Sequence, residues 1–216
     1  LMRLTTRMAH SRAVVEAGEI RRENELRFPE ERHEKNWVTL PANSRKRVLE
    51  LADDLIGFEK DSVRSKDNEL KDGADHSMGV IACGIAYNYL MENYPDGCPY
   101  PTLKVTRYPF PKELALEMTK TCDTLLVIEE GQPLVEERLR GILYDPEAKG
   151  HTIIKGRLDG TLPRTGELTP DCVRKALGLA PVEAYSKSEV AVPRPPALCQ
   201  GCGHRDFYTA LNVVLK

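Results

Sequence analysis

From residue 78 onward the chain alternates two patterns. Short runs of unbroken apolar residues are followed by longer stretches in which apolar positions recur every three or four residues. Residues 78–84 (MGVIACG) are apolar almost throughout and end in glycine. A strand buried on both faces shows this pattern. Residues 85–94 (IAYNYLMENY) then predict a helix. Residues 103–110 (LKVTRYPF) predict a second strand that leaves through a Tyr-Pro-Phe-Pro loop. KELALEMTKTC is a helix, TLLVIEE a third buried strand, and PLVEERLRGIL a helix with Pro133 at its start. HTIIKGR is a fourth strand. Thr169-Pro170 opens a last helix in this region, which ends at Gly178. Strand and helix in alternation, joined by short connections, predict a three-layer α/β fold with a mainly parallel sheet.

The flanks read differently. Residues 1–40 are dense in mixed charge and lack a clean period, as an exposed connector would. Trp37, Val38 and Leu40 give one short apolar contact before Pro41. Asn43 or Ser44 can cap a helix, and Val48, Leu51, Ala52, Leu55 and Ile56 place one apolar stripe along it. Residues 60–75 turn polar and read as a loop. Four prolines between residues 181 and 196 predict a stiff extended linker. The last thirteen residues, HRDFYTALNVVLK, have the pattern of an amphipathic helix. These shifts divide the chain into 1–40, a helix and loop over 41–72, an α/β domain over 73–182, a proline-rich linker over 183–196, and the opening of a further domain over 197–216. Both ends read as though they fall inside elements, so the expectation is a piece of a longer polypeptide with extended or helical ends.

Composition narrows the function. The chain has 216 residues, 41% hydrophobic and 30% charged, with a formal net charge of −2. No global field draws it to nucleic acid or to an anionic membrane. No apolar run has membrane-spanning length and no stretch reads as a signal peptide. Six cysteines are too few for a disulfide scaffold of this length, which fits reduced thiols in a cytoplasmic protein.

Four features could carry chemistry. Cys199-Gln-Gly-Cys202-Gly-His204 puts two thiols two residues apart, and its tight turn can aim both sulfurs at one metal. A complete site needs four ligands, and Cys83, Cys98, Cys122 and Cys172 are scattered elsewhere, so the pair is at most half a site. Arg3 and Arg7 could hold a carboxylate through a bidentate fork, against the plainer reading of surface arginines. Glu129-Glu130 closes the third strand, where ligands of open α/β sheets gather. Neighbours on a strand point to opposite faces, so the two would not form an acid–base pair, and capping of the next helix or a domain contact is favoured over catalysis. Gly84 lies at a strand-to-helix turn without a phosphate-binding fingerprint and is read as a packing glycine, with Cys83 beside it a small buried hydrophobe. His33, His76 and His151 sit in polar surroundings and point to solvent.

LMRLTTRMAHSR, MGVIACGIAYNYL, YPFP, LLVIEEGQPLVEERLR and RPPALCQGCGHR, in this order, resemble the large subunit of indolepyruvate:ferredoxin oxidoreductases. These belong to the thiamine-diphosphate-dependent 2-oxoacid:ferredoxin oxidoreductases. The resemblance spans nearly the whole chain. It implies that residues 73–182 are similar to the transketolase C-terminal domain, between the exit of a pyrimidine-binding domain and the start of a pyrophosphate-binding domain. It implies a parent enzyme that oxidatively decarboxylates indolepyruvate and other aryl-pyruvates to acyl-coenzyme A, passing electrons to ferredoxin. Thiamine diphosphate, magnesium and [4Fe-4S] clusters would serve that parent, together with a small (beta) subunit, and none is expected on this stretch alone. The stretch itself would be mainly structural, an inactive central domain; the alternative is a scaffold or subunit-interaction module. By the same resemblance, Thr6-Arg7-Met8-Ala9-His10 places Arg7 at the substrate carboxylate with His10 beside it. Cys199 and Cys202 would be two cluster ligands, with Gly203 and His204 next to the cofactor.

Overall fold

The computed structural model describes residues 14–20, 38–144, 152–183, 188–190 and 197–215. The chain forms two compact units, Leu1–Asp54 and Leu55–Lys216. The helix α1 (Pro41–Arg64) begins in the first and ends in the second. It starts at Pro41, two or three residues before the expected cap, because proline is well suited to a first helical position. It also runs on to Arg64, through part of the stretch expected to be a loop. Residues 60–64 (KDSVR) contain no helix breaker, so nothing stops it earlier. Of the whole helix only Ser62 is buried. The apolar stripe of Val48, Leu51, Leu55 and Ile56 exists on the helix, yet all four side chains are exposed.

The second unit is built on a five-stranded sheet: β1 (Glu69–Lys71), β2 (Gly79–Cys83), β3 (Thr102–Val105), β4 (Thr124–Ile128) and β5 (Ile153–Lys155). Spatial order is β1-β3-β2-β4-β5. The pairs β2–β3, β2–β4 and β4–β5 are parallel, in register Val80 to Thr102, Val80 to Leu126 and Leu125 to Ile154. The short strand β1 pairs antiparallel with β3, Leu70 opposite Leu103. It too falls in the stretch read as a loop. Between the strands lie α2 (Ile85–Asn93), α3 (Lys112–Met118) and α4 (Leu134–Leu143), followed by α5 (Pro170–Ala176) and α6 (Gly203–Val214). The expected α/β architecture, a mainly parallel sheet with helices on both faces, is present.

Alternation along the central strands divides the core in two. Ile81, Cys83, Leu125 and Val127 point to one face, where Ala115 and Met118 of α3 and Val135 and Leu139 of α4 cover them. Val80, Ala82, Leu126 and Ile128 point to the other, under Ala86 and Leu90 of α2 and Val173 of α5. Every residue of β2 is buried, which is why its sequence shows no alternation at all. Truncating one of these, such as Ile81 or Leu126, to alanine costs about 2–5 kcal/mol. Gly79 is a packing glycine. A Cβ there would meet Leu125 Cδ2 and Met118 Cε at 2.7 Å.

Candidate functional site

The strand order places one crevice ahead of any other consideration. The chain leaves β2 for β3 on one side, then returns past β2 to build β4 and β5 on the other. Where the order reverses, the connections after β2 and β4 diverge, and α/β sheets bind ligands at such points. A cleft of about 400 Å³ opens there, lined by residues that follow the carboxyl ends of β2, β3 and β4. Cys83 and Gly84 come from the first, Val105, Thr106 and Tyr108 from the second, and Glu129, Glu130, Gln132 and Leu134 from the third.

Gly84 makes the turn from β2 into α2 at φ +56°, with no atom near enough to crowd a side chain. Its role is therefore conformational and not the packing role expected for it: the left-handed region is open to glycine at little cost. The loop after β3 is held by a buried amide. Asn68 Oδ1 accepts from the Thr106 and Arg107 main-chain N–H groups at 2.8 and 2.9 Å. Asn68 Nδ2 donates to Arg107 O at 2.9 Å and to Ser62 Oγ at 3.0 Å. Ser62 Oγ in turn donates to Pro109 O at 2.5 Å. This clamp sets Tyr108 at the mouth of the cleft, just before a cis Tyr108–Pro109 bond.

Glu129 forms part of the third wall. Although buried, its two oxygens accept from the Val135 and Glu136 N–H groups, each at 2.9 Å, and so cap α4. Burial pushes its carboxyl above the ordinary 4.5, while the two amides and Arg157 act in the opposite sense. Behind it lies a second buried acid. Glu136 accepts from Arg157 N at 2.8 Å and from Arg140 Nη2 at 2.9 Å. Gly156 allows this approach; a Cβ there would lie 2.5 Å from Glu136 Oε2. The Arg157 guanidinium, 1% exposed, donates from Nε to Glu129 O at 2.9 Å and from Nη1 to Pro163 O at 2.5 Å. Its Nη2 is buried without a partner among the described residues. The adjacent acids thus part company just beyond the end of β4: Glu129 turns in to cap α4, and Glu130 is exposed.

The chemistry open to this cleft follows. Burial, and after it the nearby Glu129 charge, pushes the Cys83 thiol up to about 12. It stays protonated at neutral pH and is a poor nucleophile. Tyr108 is raised well above the ordinary phenol value, chiefly by burial and next by the nearby Cys83 thiol. The Glu129 carboxylate is taken by amides. The cleft is suited to binding through shape, aromatic surface and the Glu130 charge.

Arg3, Arg7, His10, His33 and His151 lie outside the described residues. His76 is exposed, as expected, with its ring 3.3 Å from Asp72. Cys199 and Cys202 flank a turn in which Cys202 N donates to Cys199 O at 3.2 Å, and Cys202 is the N-cap of α6. Cys202 Sγ lies 3.5 Å from His204 Nδ1, and Gly203 is the first residue of that helix. Among the described residues no three His, Cys, Asp or Glu side chains gather to hold a metal ion. Two thiols and one imidazole from Cys199, Cys202 and His204 do not by themselves complete a four-ligand site. Among the described residues no helix is long and apolar enough to cross a membrane. Sequence reasoning missed Asn68, Ser62 and Arg157. Each reaches a residue far along the chain, 47 positions away for Ser62, 39 for Asn68 and 28 for Arg157, and no local pattern marks any of them.

Comparison with known proteins gives consistent likenesses. The chain is 36% identical over 220 residues to "Indolepyruvate oxidoreductase subunit IorA" of Methanothermobacter marburgensis, covering 98% of this chain and 35% of that protein. It is 35% identical to the protein of the same name from Methanothermobacter thermautotrophicus, again over 98% of this chain and 35% of the other. The one from Archaeoglobus fulgidus is 32% identical over 99% of this chain and 36% of its own length. The chain thus spans about a third of the length of the curated relatives it matches. No family model matches it, and no solved structure does.

Proposed function

The chain belongs to the indolepyruvate oxidoreductase subunit IorA family along about a third of that subunit's length, and from this premise we propose that it forms a mainly structural domain of such an oxidoreductase. The similarity across 98% of the chain to proteins of that name carries the proposal. The parent reaction on this reading is oxidative decarboxylation of indolepyruvate and other aryl-pyruvates to acyl-coenzyme A, with ferredoxin as electron acceptor. A small (beta) subunit completes the enzyme, which works in the cytoplasm. Thiamine diphosphate supplies the carbon nucleophile of such a reaction, and the iron–sulfur clusters carry its electrons. Both would be held largely by the rest of the enzyme. The domain is of the transketolase C-terminal kind. Arg7 contacts the substrate carboxylate, with His10 beside it, and Cys199 and Cys202 are part of a cluster site. The part played by residues 55–183 is to hold its neighbours in place.

A physical argument supports the structural role. The buried ionisable groups around the cleft are committed to the backbone. Glu129 caps α4, Glu136 receives the Arg157 and Leu158 amides, and Arg157 bridges two carbonyls. The Cys83 thiol is pushed away from neutral pH. Active sites instead tune such groups toward the working pH. Calorimetric titration with thiamine diphosphate and magnesium tests the reading. The 216-residue chain is expected to give no binding heat, and the complete two-subunit enzyme a saturable one. Saturable binding by the chain alone would overturn the structural role.

A further inference from the structure

We propose that the cleft at the carboxyl ends of β2, β3 and β4 is a docking socket for a neighbouring domain of the same, longer polypeptide, which inserts a lysine or arginine set among apolar side chains. The inference rests on the structural reading above and names the surface through which it operates.

The rim is apolar and open to water. Ile85, Tyr108 and Leu134 are 42%, 52% and 65% exposed, and all three line one hollow. A single exposed apolar side chain is ordinary; a group of them around a concavity marks a surface that associates.

Charge selects what fits. Glu129 and Glu130 are in the lining, and among the described residues no lysine, arginine or histidine is. Glu129 is already spent on α4 and contributes only its field. Glu130 is exposed, and it takes part in no ion pair among the described residues. A long cationic side chain answers each feature. Its stem lies along Ile85 and Leu134, its head reaches Glu130, and the Tyr108 ring offers a face to the cation. The first turn of α2 opens on the same cleft without a side-chain cap.

The relatives identify the source. This chain accounts for 35% of the length of the first two, so most of such a subunit is further polypeptide. A domain tethered in cis is present at high effective concentration, and a shallow socket is then enough to hold it.

The full-length subunit, assembled with its partner subunit, provides the test. Photo-reactive p-benzoylphenylalanine replaces Leu134 in one preparation. In a control it replaces Tyr144, which is exposed and outside the cleft. After irradiation, mass spectrometry is expected to find residue 134 joined to a peptide of the same polypeptide, outside these 216 residues, with a lysine or arginine within two positions of the joined residue. Residue 144 is expected not to join that peptide. Glu130→Arg is expected to lower the yield at least fivefold, and changing the mapped cation to glutamate in that background to restore it. No cross-link from residue 134, attachment to the partner subunit, a joined segment without a cation, or a yield untouched by Glu130→Arg would each overturn the socket. If the isolated chain still binds no thiamine diphosphate, the structural reading survives that failure.

Discussion

Asn68 holds the main chain of Arg107 in both directions. Its side-chain oxygen accepts from the Arg107 N–H and its side-chain nitrogen donates to the Arg107 carbonyl, both at 2.9 Å. One buried amide thereby fixes the loop that carries Tyr108. Asn68→Ala removes at least four hydrogen bonds and leaves the Thr106 and Arg107 amides without their acceptor. A loss of about 2–4 kcal/mol in urea unfolding is expected, because buried groups left unpaired cost more than the bonds themselves contribute. Hydrogen exchange at residues 106 and 107 should accelerate well beyond that of β4. Unchanged exchange there would mean that the loop is held by something else.

Glu129 gives a pH signature. Its carboxyl titrates above the ordinary 4.5 in the fold, because of burial. Between those two values the folded chain keeps a proton that the unfolded chain has released. That contribution is complete below about pH 4.5 and is lost as pH rises through the folded value. Wild-type stability relative to Glu129→Gln should therefore fall as pH rises above 4.5. A difference that stays flat across that range, measured by denaturation at each pH, would count against a raised carboxyl.

Gly84 and Gly156 should fail differently when changed to alanine. At residue 84 the cost is backbone strain alone, because φ +56° with ψ −125° is a conformation that side chains other than glycine rarely adopt. At residue 156 the new methyl would stand against the Glu136 carboxylate and break its bond to Arg157 N. A loss of about 2–4 kcal/mol is expected there, comparable to overpacking combined with a lost buried hydrogen bond. Urea midpoints of the two variants compare them directly, and equal losses would contradict the geometry.

Thiol labelling at pH 8 should separate the cysteines. Cys199 is exposed and should react readily. Cys83 and Cys122 are buried, and the Cys83 thiol is pushed up to about 12. Both should stay unmodified until the chain unfolds. Rapid modification of Cys83 in the native protein would show a cleft floor more open than its 7% exposure allows.

How much of this was legible in the sequence depended on range. The strands β2 and β4 were plain, because burial on both faces leaves an unbroken apolar run such as Leu125 to Ile128. Helices α2 to α5 followed from periodicity, Pro133 and the Thr169-Pro170 start. Capping at Glu129-Glu130 was one of two readings the sequence left open, beside a domain contact, and the structure gives the cap to Glu129. The strand β1 was not, since Glu69-Leu70-Lys71 is three residues with one apolar member, set in place by pairing with β3 more than thirty positions away. The apolar stripe of α1 was visible, but its exposure was not, because amphipathicity says which face seeks cover and not what supplies it. Ser62, Asn68 and Arg157 are ordinary polar residues until the fold gives them backbone to hold.

The sheet itself has a consequence for how such a chain can change over generations. Val80 and Ile81 are consecutive letters, yet they belong to two cores that the strand backbone keeps apart. Substitutions that refit one core should combine additively with those in the other. The layer of α3 and α4 can drift to suit a new neighbour while the layer of α2 and α5 keeps its old packing. Inheritance is then divided by alternate positions along β2 and β4, and a lineage can remodel one face of this protein without renegotiating the other.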